Sequence, residues 1–266
     1  MKTFVSPGRW LLHGFCMLAS VFLVMPLFVI VAVSFTKTEY LAFPPHGFTL
    51  HWYQQFLLDP SYIDSILLSA GLSVSATVTA LVLGVPVALV LSRTKSRANS
   101  VIAGLFLSPL VLPTIVIGAA LLQFASQIGI ARTWTALYIG HTVLVIPYIV
   151  RTTFASLSGF QANLEQAAQD LGASRLQTFF LVTLPLVKSG VIAGALFGLI
   201  ISWVNVELSI FNSTSALLPL PVKLFNYVQY SIDPMIAAVS ASTIYVAIVI
   251  VLVIDWIVGI DKVNSG

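Results

Sequence analysis

The chain has 266 residues, 58% of them apolar and only 8% charged, and its mean hydropathy is +1.01. A soluble fold of this length cannot hide so much apolar surface, so composition excludes a soluble globular protein and places the chain in a bilayer. The net charge of +3 rests on too few charges to signal nucleic-acid binding, and Cys16, the only cysteine, excludes an internal disulfide.

Six apolar runs follow along the chain, and each is read as a transmembrane helix within a single membrane domain over residues 1–266. A helix rises about 1.5 Å per residue and must cross roughly 30 Å of hydrocarbon, so runs of about 17 to 25 residues qualify. The spans lie near 10–35, 65–92, 101–130, 134–150, 190–211 and 235–254. The first resembles a secretory signal, because Lys2 and Arg9 precede it and Ala32-x-Ser34 looks cleavable. Its length exceeds a signal core, so it is kept as a span. Phe15 before Cys16 disfavours lipid attachment there. The third is long enough to tilt or to end in a polar turn around Gln123, Ser126 and Gln127. Pro86, Pro109, Pro113 and Pro147 fall within spans and suggest bends. Ser69, Ser73, Ser75, Thr77 and Thr79 give the second span hydroxyls suited to interhelical hydrogen bonds.

The basic residues orient these spans. With the N-terminus inside, Lys2, Arg9, Arg93, Lys95, Arg97, Arg151, Arg175, Lys188 and Lys262 face the cytoplasm, against Lys37, Arg132 and Lys223 outside. That bias puts both termini and the 151–189 loop in the cytoplasm. Within the loop, Leu164, Ala167, Ala168 and Leu171 recur at helical spacing, giving a short amphipathic helix suited to a groove, with Glu165 and Asp170 on its flanks. Gly172 can adopt the left-handed conformation that stops this helix. Ser174 is placed to cap the next, and Pro185 to break or kink the chain as it re-enters the membrane.

The spacing of this loop carries a resemblance. Gln166-Ala167-Ala168, three residues, Gly172, nine residues, Val182, one residue and Leu184-Pro185 reproduce the pattern of the EAA loop. That loop marks permease subunits of binding-protein-dependent ATP-binding-cassette (ABC) importers. Gln166 stands where the pattern has Glu, with Glu165 one residue earlier, and Val182 stands for Ile. The stretches from His141 to Gln161 and from Leu196 to Pro234, the latter with Leu-Pro-x-Lys at Leu220 to Lys223, are also similar to these permeases, in particular to the branch serving polyamines. The resemblance implies an all-α, six-helix type I importer permease in the bacterial inner membrane with a cytoplasmic coupling loop. It implies that Glu165, Gln166, Ala167, Ala168, Asp170, Gly172, Val182, Leu184 and Pro185 couple the chain to an ATPase. The implied partners are a second permease subunit, favouring a heterodimer, two ATPase subunits that bind ATP and Mg²⁺, and a periplasmic solute-binding protein.

Trp203, Asn205 and Glu207 place polar and aromatic groups in the apolar fifth span. An ionisable residue there costs about 2.5–3.5 kcal/mol on insertion scales, so it faces a cavity or a partner. Glu207 is a candidate solute contact, and equally a residue paired or snorkelling near the outer helix end. Gly190, Gly194 and Gly198 form a small-residue face for helix packing. The resembling polyamine permeases carry paired acids where this chain has Val204 and Asn205, which leaves a singly charged amine, an amino-acid-like zwitterion, an organophosphonate or iron open as cargo. His46, His51 and Asp59 have a poor metal spacing. The sequence contains no Gly-x4-Gly-Lys-Ser/Thr phosphate loop, so ATP hydrolysis is expected on another subunit and no cofactor is expected on this chain. A secondary transporter driven by an ion gradient is the rival class, but it leaves the loop spacing unexplained. An intramembrane enzyme would need converging nucleophile and base residues that the sparse ionisable set does not supply.

Overall fold

The computed structural model describes residues 7–94, 96–158 and 163–258. Lys2, Lys95 and Lys262, used above for orientation, and the end of the similar stretch at 159–161 lie outside them. Twelve α-helices run through the described residues: α1 Pro7–Val33, α2 His51–Leu58, α3 Pro60–Arg93, α4 Arg97–Leu107, α5 Thr114–Gln127, α6 Trp134–Ser158, α7 Asn163–Asp170, α8 Arg175–Thr178, α9 Leu184–Trp203, α10 Ser209–Asn212, α11 Leu220–Val228 and α12 Pro234–Val258. An isolated β-bridge joins Thr36 and Phe48. By length and composition, five helical stretches can cross a bilayer: Leu11–Val33, Pro60–Arg93, Trp134–Ser158, Arg175–Trp203 and Pro234–Leu252.

Several boundaries depart from the expected ones for local reasons. The third run is not one helix. It breaks at Ser108–Pro113, where α4 with its short 3-10 extension and α5 meet at 104°, forming either a broken span or a re-entrant pair. Pro109 and Pro113 flank the break, each removing an amide donor. Pro86 and Pro147, by contrast, sit inside α3 and α6, which run on through them. Helix α6 continues to Ser158, so Arg151 is helical, not part of a loop. Pro185 does not break the chain either. Phe179–Thr183 forms a π-helical turn, with the Leu184 N–H donating to Phe179 O, and helix continues into α9 with Pro185 in its first turn. The wider turn gives the proline ring the room that a regular helix would deny it.

The described residues cluster into two units, those up to Ile63 with Asn226–Val253, and those within Asp64–Phe225 with those from Ile254 to Val258. In the first, Trp52 Nε1 donates to Thr36 O at 2.9 Å, and the Tyr53 and Ser34 hydroxyls share a 2.6 Å hydrogen bond. Burial pushes the Tyr53 phenol up to about 12, so it stays a neutral hydroxyl. From Leu11 to Phe28 nearly all the apolar side chains of α1 are exposed, Leu11 by 76% and Phe22 by 75%, as lipid-facing side chains would be, and the helix becomes buried only at its end, at Val33.

In the second unit the core lies between α3, α6 and α9. Ala80, Val85, Val145 and Ile149 pack in one cluster, and Ala88, Val150, Leu157 and Val187 in another. Gly190, Gly194 and Gly198 are buried where α9 approaches α6. A Cβ on Gly194 would stand 2.4 Å from Thr152 Oγ1 and 3.1 Å from the Ile149 Cα. Gly194→Ala is therefore expected to cost about 1–3 kcal/mol through overpacking. A fall in the thermal midpoint of the purified protein would show this, and an unchanged midpoint would refute it. Two of the expected interhelical hydrogen bonds form: Leu220 N donates to Ser69 Oγ at 2.8 Å, and Thr79 Oγ1 meets the Tyr138 hydroxyl at 2.6 Å. Ser75 instead turns back to Gly71 O.

Candidate functional site

Two places in the second unit combine chemistry with geometry. The first is the polar segment between α6 and α9. Helix α7 ends on Gly172, whose φ of +92° is the left-handed conformation. The Gly172 N–H donates to Gln169 O at 2.9 Å and the Ala173 N–H to Ala168 O at 3.0 Å, the paired closure of a Schellman motif. Ser174 then caps α8 in a capping box: its Oγ accepts from Gln177 N, and its own N–H donates to Gln177 Oε1. Two helices thus meet at a corner fixed by backbone geometry on one side and side-chain caps on the other.

Glu165 does not merely decorate a flank of α7. Its side chain is only 12% exposed; it pairs with Arg93 at the end of α3 and accepts from the buried Thr183 Oγ1 at 2.5 Å. One carboxylate thereby ties α7 to α3 and to the π-helical turn that leads into α9. Arg93 was legible only as an orienting charge, and Thr183 carried no signal at all. Gln166, Ala167 and Asp170 are exposed, Ala168, Val182 and Leu184 are half-buried, and Pro185 is exposed. Leu171, at 90% exposed, and Leu176, at 69%, leave apolar surface at the corner.

The second place is a cavity of about 290 Å³ lined by Thr114, Leu144, Tyr148, Ile201, Val204, Asn205, Val206 and Glu207. The expected span to residue 211 stops earlier, because α9 ends at Trp203. Asn205 Oδ1 accepts from Leu208 N at 2.9 Å, a local bond that competes with helix continuation. Asn205 and Glu207 consequently lie on a non-helical turn before α10, and both line the cavity, whereas Trp203 does not. Thr114 and Tyr148 complete the wall; they lie well before this turn in sequence, and no local pattern connects them to it. The cavity offers one carboxylate, one carboxamide, one phenol and one hydroxyl among apolar walls, a set suited to a small polar solute.

Helices long and apolar enough to cross a bilayer, a capped polar corner between two of them and a polar cavity at a helix break are features that a membrane transport subunit requires. Residues 80–260 match the family described as "binding-protein-dependent transport system inner membrane component", and the chain belongs to that family, the permeases of ABC importers. Among similar proteins are the spermidine/putrescine transport system permease protein PotC of Haemophilus influenzae and the putrescine transport system permease protein PotI of Escherichia coli K12. The first is 27% identical over 91% of this chain and 94% of its own length. The second is 29% identical over 90% of this chain and 87% of its own. The spermidine/putrescine transport system permease protein PotB of Escherichia coli K12 is 31% identical, over 66% of this chain and 70% of its own. A chain from the crystal structure of a bacterial ABC transporter importing the acidic polysaccharide alginate shares the fold, with a TM-score of 0.69 at 19% identity over 97% of this chain and 99% of that one. The chain is thus an all-helical permease of the type I importer fold.

Proposed function

We propose that this chain is one of two permease subunits of an ATP-driven importer that brings a small amine, polyamine-like in character, across the inner membrane. The observation that carries the substrate reading is the exposed Glu207 among the residues that line the cavity, because an ammonium group is the natural counter-charge for a carboxylate. The names of the similar permeases support the same class. A heterodimer is favoured because the chain is similar to two different proteins, PotC and PotB, of one transport system in Escherichia coli K12. Two ATPase subunits carrying ATP and Mg²⁺ would dock at the corner around Gly172, and a periplasmic binding protein would deliver the solute. The charge bias supports a reading in which both termini and that corner face the cytoplasm, on the side of the ATPases, with α4 and α5 together making the sixth span.

In this mechanism, closure of the ATPases moves α7 and α8, the Glu165 tie carries the motion to α3 and α9, and the cavity changes the side on which it opens. Glu207→Gln, which keeps the shape and removes the charge, is expected to raise the KM for putrescine uptake by reconstituted transporter roughly tenfold or more, the worth of one charge-assisted hydrogen bond. Maximal rate should change less. Uptake of putrescine indistinguishable from that of the unaltered protein would remove Glu207 from the pathway.

A further inference from the structure

His141 of α6 is only 2% exposed, and both ring nitrogens are engaged: Nδ1 lies 2.7 Å from Ser202 Oγ and Nε2 3.0 Å from Ser209 Oγ. Ser209 Oγ also donates to the Asn205 carbonyl at 3.0 Å. A carbonyl only accepts and a hydroxyl has one proton, so Ser209 spends its proton on Asn205 and must accept from His141 Nε2–H. Nδ1 of the neutral imidazole is then the acceptor, and Ser202 donates to it. The hydrogen bonds form a chain with one direction, from Ser202 through His141 and Ser209 to the Asn205 carbonyl.

That carbonyl belongs to the non-helical turn that carries Glu207, and helix ends leave such groups without intrahelical partners. The same turn is bound from within by Leu208 N to Asn205 Oδ1. It also presses closely on α5, where a Cβ on Gly118 would come within 2.9 Å of Glu207 O and Leu208 Cα. Ser202 and Ser209 are themselves buried, at 2% and 0% exposed, so no solvent competes for the chain.

We infer that His141 is a positioning residue: through Ser209 it fixes the 204–208 turn and so holds the Glu207 carboxylate on the cavity wall. The inference rests on the reading that this cavity receives solute, and the experiment separates the two. In a Cys16→Ser background, Val206→Cys places a thiol on the cavity wall, and its reaction with N-ethylmaleimide in the assembled transporter reports how firmly the turn is held. His141→Ala and Ser209→Ala are each expected to speed that reaction roughly tenfold, the order expected for loss of one buried hydrogen bond. His141→Gln, which retains a donor able to reach Ser209, should restore most of the protection. If His141→Ala does not assemble, Ser209→Ala, which removes a single oxygen, decides the matter. Reaction rates equal to the parent in assembled Ser209→Ala would overturn the inference, as would failure of His141→Gln to protect better than His141→Ala. The labelling needs no transported solute. Faster labelling beside unaltered putrescine uptake in Glu207→Gln would keep the positioning role and reject the solute reading, and the reverse pattern would do the opposite.

Discussion

Glu165→Ala is expected to reduce ATP-driven uptake by about tenfold or more while leaving membrane insertion intact. The carboxylate makes two different contacts, and their environments rank them. Arg93 is about half-exposed, with 47% of its side chain accessible, so the ion pair is screened and contributes about 0.2–1 kcal/mol. Thr183 is fully buried, and its hydroxyl bond to a charged acceptor is worth about 1.5–3 kcal/mol. The larger part of the tie therefore runs to the start of α9, not to α3. Arg93→Ala should accordingly impair uptake less than Glu165→Ala, with Glu165→Gln, which still accepts from Thr183, close to Arg93→Ala. Transport per ATP hydrolysed, measured in proteoliposomes, checks the order. Equal losses from Arg93→Ala and Glu165→Ala would show that the exposed ion pair, and not the buried bond, transmits the motion.

Gly172→Leu is expected to abolish most uptake and to leave ATP hydrolysis uncoupled from it. At φ +92° any L-residue is strained, by about 1–2 kcal/mol, so Gly172→Ala already weakens the corner. Yet a Cβ at this position meets nothing within 4 Å of its own chain. The Cβ itself therefore adds only backbone strain inside this subunit, and a further loss in Gly172→Leu over Gly172→Ala is the expected mark of contact with a partner. Gly172→Asn, which tolerates the left-handed region, should be the mildest of the three. Identical behaviour of Ala and Leu in uptake assays would mean that no partner surface lies against the corner.

The sequence showed its local features clearly and its distant contacts poorly. The stop at Gly172 and the cap at Ser174 were readable because both are formed by residues within five positions of one another. The break at Ser108–Pro113 was signalled by two prolines, but an apolar run has no periodicity to show whether the chain bends through a right angle or passes straight on. Pro185 misled for a related reason: a proline marks lost helical geometry, but not whether a π-helical turn absorbs it. The end of α9 depended on one side chain, Asn205, choosing the backbone of Leu208. Arg93 and Thr183 could not be connected to Glu165 from sequence, since 72 and 18 residues separate them from it. The cavity had the same difficulty, with Asn205 and Glu207 legible as polar groups in an apolar segment and Thr114 and Tyr148 visible only once the helices were packed.

In the proposed function, solute transport by this chain depends on coupling to an ATPase through the 163–183 segment. Its most direct test is accumulation of labelled putrescine and spermidine in proteoliposomes containing the full assembly and its binding protein, with ATP supplied or withheld and ion gradients clamped. Accumulation that requires ATP and disappears in Gly172→Leu is the predicted result. Accumulation that ignores ATP and follows an ion gradient would contradict the account.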